Sequence, residues 1–236
     1  MLWIGVIAFV LFLLLRLPAS LVTGFIPKPW QLGEVSGTVW HGRAAQFGTN
    51  GQLLLSNLRW DWQPSALLRG TLRWQVAMQH NQQPGQALVD MGIRGAQVSD
   101  VHVTLPLAPL LALDKKLAPL QIGGDLNIDA KAISAKVWDG VILQLNDAHS
   151  VITPQANPFG SYRIETQRDA NGINWHVAPL QGTLTIQGQG SVANNGKVQG
   201  ALNFVPSKGN EALFTPLMQR LGGSSSGYTL QLGAIN

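Results

Sequence analysis

The residues able to do chemistry are few and far apart. Five histidines stand at His41, His80, His102, His149 and His176, and none belongs to an H-x-H or H-E-x-x-H pattern of the kind that brings two imidazoles to one metal. His41 lies beside Trp40 in a glycine-flanked turn and reads as structural rather than as a metal ligand or acid–base group. Asp125, Asn127 and Asp129 look like the start of a calcium loop. The Gly at the sixth position and the Glu at the twelfth are missing, so a solvated strand face is the simpler reading. Gly188-Gln-Gly190 lacks the third glycine and the βαβ setting of a dinucleotide fingerprint, and Ser224-Ser-Ser-Gly227 reads as a loop, not a nucleophile elbow. Trp60, Trp62 and Trp74 suit either core packing, the default, or a platform for sugar or lipid. No constellation supports catalysis, so no enzyme, metal or cofactor is expected.

Composition narrows the class further. The 236 residues suffice for one sizeable domain or two small ones. Charged residues make up 12%, about half the roughly 25% of an ordinary soluble domain, and Gln, Asn, Thr and Ser stand in their place. With no cysteine, disulfides, thiolate metal sites and cysteine nucleophiles are excluded. The net charge is +4, but the sixteen Lys and Arg are scattered and only Lys115-Lys116 are adjacent. Nucleic-acid binding needs a clustered basic footprint, so it is not expected, whereas attraction of a tethered protein to an anionic membrane surface is.

Residues 1–15 carry no charged side chain, and Leu17–Val22 continue the apolar character beyond Arg16. A helix over Leu2–Val22 would be about 30 Å long, enough to cross a bilayer core, with Arg16 snorkelling to the headgroups. A cleaved signal peptide is the rival. The long apolar run, the uncharged start and the lack of an A-x-A site favour an uncleaved anchor. Arg16 and Lys28 follow the helix, so the positive-inside rule taken alone places the body in the cytoplasm. The expected division is an anchor over 1–23, a Pro-rich linker over 24–31 and a β-rich domain over 32–236.

The body reads as strands. Leu72, Trp74, Val76 and Met78 alternate with Thr71, Arg73, Gln75 and Gln79, the period of a strand with one dry and one wet face. Leu58, Trp60 and Trp62 alternate in the same way, and Pro64–Gly70 between the two suits a single helical turn or a tight corner. Val98 falls out of phase with Val101, Val103 and Leu105, which predicts a bulge. Short helices are expected over Pro106–Leu117, with both lysines in the last turn, and over Thr215–Leu221, with Thr215 as N-cap. A Gly-polar-apolar unit recurs at Gly70, Gly124, Gly182 and Gly200 without fixed spacing. The fold class is therefore mainly β: an N-terminal transmembrane helix, then a curved antiparallel sheet, open as a groove or closed as a sandwich, with few short helices. The dry-face set that would line a groove is Leu72, Trp74, Val76, Leu126, Ile128, Leu184, Ile186, Leu202 and Phe204.

Gly33, Val35, Gly37, Val39, Trp40, Gly42 and Ala44, then Leu58, Trp60, Trp62 and Pro64, then Leu67, Leu68 and Gly70, together with the anchor and Pro-rich exit, resemble the type II secretion system protein N family. The resemblance in layout covers the whole chain; beyond about residue 80 it is one of style. It implies a single-pass protein of the Gram-negative inner membrane, its β-rich body in the periplasm, serving protein export without enzymatic activity by contact with other secretion components. The missing positive charge before the anchor departs from that layout. The opening motif also looks like the start of AsmA/TamB-type envelope proteins, whose curved sheets enclose an apolar groove, which implies a lipid-binding or lipid-transfer module as the alternative.

Overall fold

A computed structural model describes residues 2–93, 95–113, 117–135, 137–224 and 226–233. The protein is mainly β, built of antiparallel sheet with few helices, and its chain divides into two compact units, Met1–Ser99 and Asp100–Asn236.

Unit 1 contains α1 (Leu2–Leu15), α2 (Ser20–Thr23) and a meander of β1 (Trp30–Gly37), β2 (His41–Thr49), β3 (Gln52–Trp62), β4 (Thr71–His80) and β5 (Gln83–Gly92), each strand paired antiparallel with the next. The helix expected over Leu2–Val22 is observed in two pieces. Pro18 has no N–H, and its ring disfavours helical backbone at Leu17, so α1 stops after 14 residues, about 21 Å. Among the described residues no helix is long and apolar enough to cross a membrane. The stretch expected as an extended linker begins instead with turns: Gly24, Phe25 and Ile26 donate back to Leu21, Val22 and Thr23, and β1 starts at Trp30. Pro64–Arg69 forms a six-residue 3₁₀ helix, about two turns, closed by left-handed Gly70. On the wet face, Arg73 grips Asp90 with two bonds, 2.7 and 2.9 Å, across the β4–β5 ladder.

β6 (Gly95–Pro106) passes from one unit into the other, with Asp100 in a left-handed conformation where the alternation slips. Unit 2 continues with α3 (Leu107–Leu111), β7 (Ile122–Ser134), β8 (Trp138–Asp139), β9 (Ile142–Ser150), β10 (Gly160–Arg168), β11 (Gly172–Gly182), β12 (Leu184–Ala193), β13 (Val198–Pro206), α4 (Glu211–Leu221) and β14 (Tyr228–Leu232). The ladder order is β7-β9-β10-β11-β12-β13-β14, and β8 pairs with β7. The helix expected from Pro106 is observed only as α3; Lys115 and Lys116, expected in its last turn, lie outside the described residues. The other expected helix begins a turn early. Asn210 stands at the N-cap position of α4 without a capping bond, its side chain donating to Ser207 Oγ at 2.8 Å, and Thr215 sits inside the helix, its Oγ1 donating to the Glu211 carbonyl at 3.1 Å. Phe214, Leu217 and Met218 of α4 are fully buried beside Phe159, Leu184 and Tyr162. The Tyr162 hydroxyl donates to the Leu184 carbonyl at 2.6 Å, and burial pushes the phenol far above its ordinary range.

The β10–β11 turn carries an exposed carboxylate with three donors. Asp169 accepts from the Asn174 side chain and from the backbone N–H groups of Asn171 and Gly172, which together hold it below the ordinary carboxylate range. A lowered folded value means the turn's stabilisation is complete above the unfolded pKa and is lost as the pH falls through the folded one. NMR titration should therefore find the Asp169 midpoint below the ordinary aspartate value, with the Asn171 and Gly172 amides shifting in step. An Asp169 midpoint at or above the ordinary aspartate value would contradict this geometry.

Candidate functional site

Two features of unit 1 bring the motif residues together. The first is a bracket around the β1–β2 turn. Gly37 takes φ 93°, a left-handed conformation suited to glycine, and the turn closes when Thr38 N–H donates to the His41 carbonyl at 2.8 Å. His41 N–H in return donates to Thr38 Oγ1 at 3.0 Å, so His41 serves the turn through its backbone. Trp60 Nε1 reaches the Thr38 carbonyl at 3.2 Å, and Trp74 Nε1 reaches that of Val39 at 3.0 Å. Trp40 lies against Trp62 (4.8 Å between centroids) and stacks on Trp74 (6.3 Å, 11° between planes). The Trp62 N–H donates to the Trp40 carbonyl at 2.7 Å, whereas the Trp62 indole nitrogen is buried without a partner. Pro64 then opens the 3₁₀ helix that Gly70 ends.

The bracket holds the exit of α1. Trp40 Nε1 donates to the Leu14 carbonyl at 2.7 Å, Val39 N–H to Leu17 at 3.0 Å, and Ala19 N–H to Gly37 at 3.0 Å. Ala19, Ala44 and Trp60 are buried together, with Val35, Leu58, Trp74 and Val76 packed around them. Gly33 lies opposite Gln46, with ordinary room for a side chain. The tryptophans therefore act as clamps between the sheet and the helix exit.

The second feature is a hollow of about 530 Å³ on the dry face of the β1–β5 meander. Leu58, Trp60, Trp74, Val76 and Val89 form its floor, and Leu21, Val22, Phe25 and Ile26 stand along one side. Every residue lining it is apolar, and the two indole N–H groups on its floor are spent on the Thr38 and Val39 carbonyls. It thus offers contact area but no hydrogen-bond directionality, which suits flexible apolar chains. Phe25 is 87% exposed beside it. Leu21, Val22, Phe25 and Ile26 were not among the expected groove residues, although their i, i+1, i+4, i+5 spacing is that of a helical face and marks one apolar side.

The nine expected groove positions fall in two places. Trp74 and Val76 line this hollow, and Leu72 lies on the same strand without reaching it. Leu126, Leu184 and Phe204 are buried in the core of unit 2, with Ile128, Ile186 and Leu202 packed against them and α4 contributing to the same core. The polar candidates are also dispersed. Asp129 meets His102 at 2.6 Å and Asn127 accepts from Thr104 at 2.9 Å, ties between neighbouring strands. His80 Nδ1 lies 3.0 Å from the Leu54 carbonyl, and His149 Nδ1 lies 2.9 Å from that of Asp147. Ser224 and Ser226 bond to each other at 2.9 Å; Ser225 lies outside the described residues. Among the described residues no three His, Asp or Glu side chains gather to hold a metal.

Against known proteins, residues 28–231 match the family described as type II secretion system (T2SS), protein N. A curated relative from Vibrio cholerae, a type II secretion system protein N, is 31% identical over 121 residues, which are 49% of this chain and 48% of the relative. The matched stretch spans about half the length of that relative. No solved structure matches the chain.

Proposed function

The chain belongs to the type II secretion system protein N family, and from that membership we propose that it serves protein export as a non-enzymatic component of the type II secretion machinery, held in the inner membrane by α1 with its β-rich body in the periplasm. The observation that carries this reading is the match of the family over residues 28–231, almost the whole body. The non-enzymatic part rests on how the ionisable side chains are used. Asp90, Asp129 and Asp169 are each engaged in cross-strand or turn bonds rather than converging on a cavity. Photocrosslinkers placed on the exposed wet face at Gln75 and Arg59, in native membranes, should trap other secretion components. A phosphatase fused after Asn236 should be active. Failure to trap any such component, with export undiminished when the chain is deleted, would overturn the role; an inactive phosphatase would overturn the orientation.

The wholly apolar hollow favours a second reading, that the body holds lipid acyl chains. In that case the purified chain should carry phospholipid, and Val76→Asp should remove it while leaving the protein folded, because a charge facing an acyl chain is costly to desolvate. Lipid retained at the wild-type level in a folded Val76→Asp variant would count against it.

A further inference from the structure

We infer that the end of unit 1 from which α1 departs is seated in the lipid interface, with the connection before β4 and the turn after β5 dipping among the headgroups. This rests on the reading of α1 as a membrane anchor and adds where the body sits. The ladder registers bring three connections to that end. Gly37 pairs with Gly42, Trp62 with Trp74, and Thr71 with Gly92, so the β1–β2 turn, the 3₁₀ helix Pro64–Arg69 and the turn at Ile93 lie side by side. α1 is tied to the same place by the bonds from Trp40, Val39 and Ala19, so no free tether separates the body from the helix.

The surface at this end has the wrong chemistry for water. Ile93 is 102% exposed, Leu68 93%, Leu67 51% and Met91 49%. Single exposed leucines are ordinary, but a group of large apolar residues around the foot of an apolar helix marks a contact surface. The helix supplies the identity of the partner. Its 14 residues reach about 21 Å, short of the roughly 30 Å hydrocarbon core. A short span draws its flanking groups toward the bilayer. Arg16, over the Phe12 ring at 5.4 Å, and exposed Arg69 stand at the same end, placed for anionic headgroups, with Asp61 the opposing acidic residue nearby in sequence.

The chain has no cysteine, so single reporters are easily introduced. Leu68→Cys, Ile93→Cys and, from the opposite end of the meander, Gln83→Cys would be labelled with an environment-sensitive dye. The full chain would then be reconstituted into vesicles of phosphatidylethanolamine and phosphatidylglycerol. The labels at 68 and 93 should shift to the blue and be quenched by nitroxide lipids whose spin lies at the headgroup–acyl boundary, about 5–10 Å deep, while the label at 83 stays in water. Labels at 68 and 93 that behave as the one at 83, in protein retained by the vesicles, overturn the seating but leave the anchor standing. Protein not retained after alkaline washing overturns the anchor and the seating together.

Discussion

Phe214→Ala should destabilise unit 2 by about 3–5 kcal/mol, the usual cost of a buried phenyl replaced by a methyl. Phe214 is fully buried and meets Phe159, also fully buried, edge-on with centroids 6.0 Å apart at 84°. It is one of three buried residues on the inner face of α4, with Leu217 and Met218 at i+3 and i+4. The helix sits in a core that includes Leu126, Leu184 and Phe204, so a hole beneath it touches several strands and cannot close by moving one side chain. Gln219→Ala, on the exposed face of the same helix, should cost less than about 0.5 kcal/mol. Denaturant melts of both variants, followed through Trp138 and Trp175, the tryptophans of unit 2, would check the difference. Similar midpoints for the two would mean that α4 does not close this core.

That core also shows where the sequence stops being legible. The alternation of Leu72, Trp74, Val76 and Met78 is visible because a sheet with one dry face must repeat every two residues, and β4 follows it from Trp74 to His80, whereas Thr71 to Trp74 are all half-buried. Which cover lies over a given stretch of dry face depends on where a helix from far along the chain folds back. Leu184 and Trp74 therefore look alike in sequence, yet one is sealed in a core beside α4 and the other floors an open hollow. The start of α4 was obscured by a local rule. Thr215-Pro216 imitates an N-cap followed by Pro at the first position, but burial of Phe214 extends the helix a turn earlier, and Glu211 in that turn accepts from the Gly209 N–H at 2.8 Å. The boundary at Ser99–Asp100 shows in the sequence only as the slipped alternation at Val98, since β6 continues across it with no change in composition.

The tryptophans were legible as apolar mass but not as clamps. Period and composition cannot show that the Trp60 and Trp74 indoles reach carbonyls 22 and 35 residues earlier. The motif's glycines carry the same hidden information, and they do not all matter alike. The structure leaves room for a side chain at Gly33 and none at Gly42.

Gly42→Val should therefore be among the most damaging changes to unit 1. A Cβ at Gly42 would run into the Trp60 ring and lie 2.7 Å from the Thr38 carbonyl oxygen. The ring cannot yield without losing its bond to Thr38, and the carbonyl cannot yield without opening the turn that carries Trp40. Overpacking together with an orphaned buried indole should cost roughly 3 kcal/mol or more. The damage should also spread along the bracket. Once Trp40 moves, the Leu14 carbonyl loses the indole donor and keeps only the longer bond from Leu17, and the Leu17 and Ala19 bonds to the turn weaken with it, freeing the exit of α1. Gly33→Ala is the matched control: it changes a glycine in the neighbouring strand, but its Cβ would meet only Gln46 at 3.5 Å, an ordinary contact, so its effect should stay within about 0.5 kcal/mol. Thermal melting of the detergent-solubilised chain would measure the stability loss, and proteolysis between residues 16 and 29 would report release of the helix exit. A Gly42→Val protein that melts like Gly33→Ala, with residues 16–29 still protected, would show that the bracket does not hold the helix to the sheet.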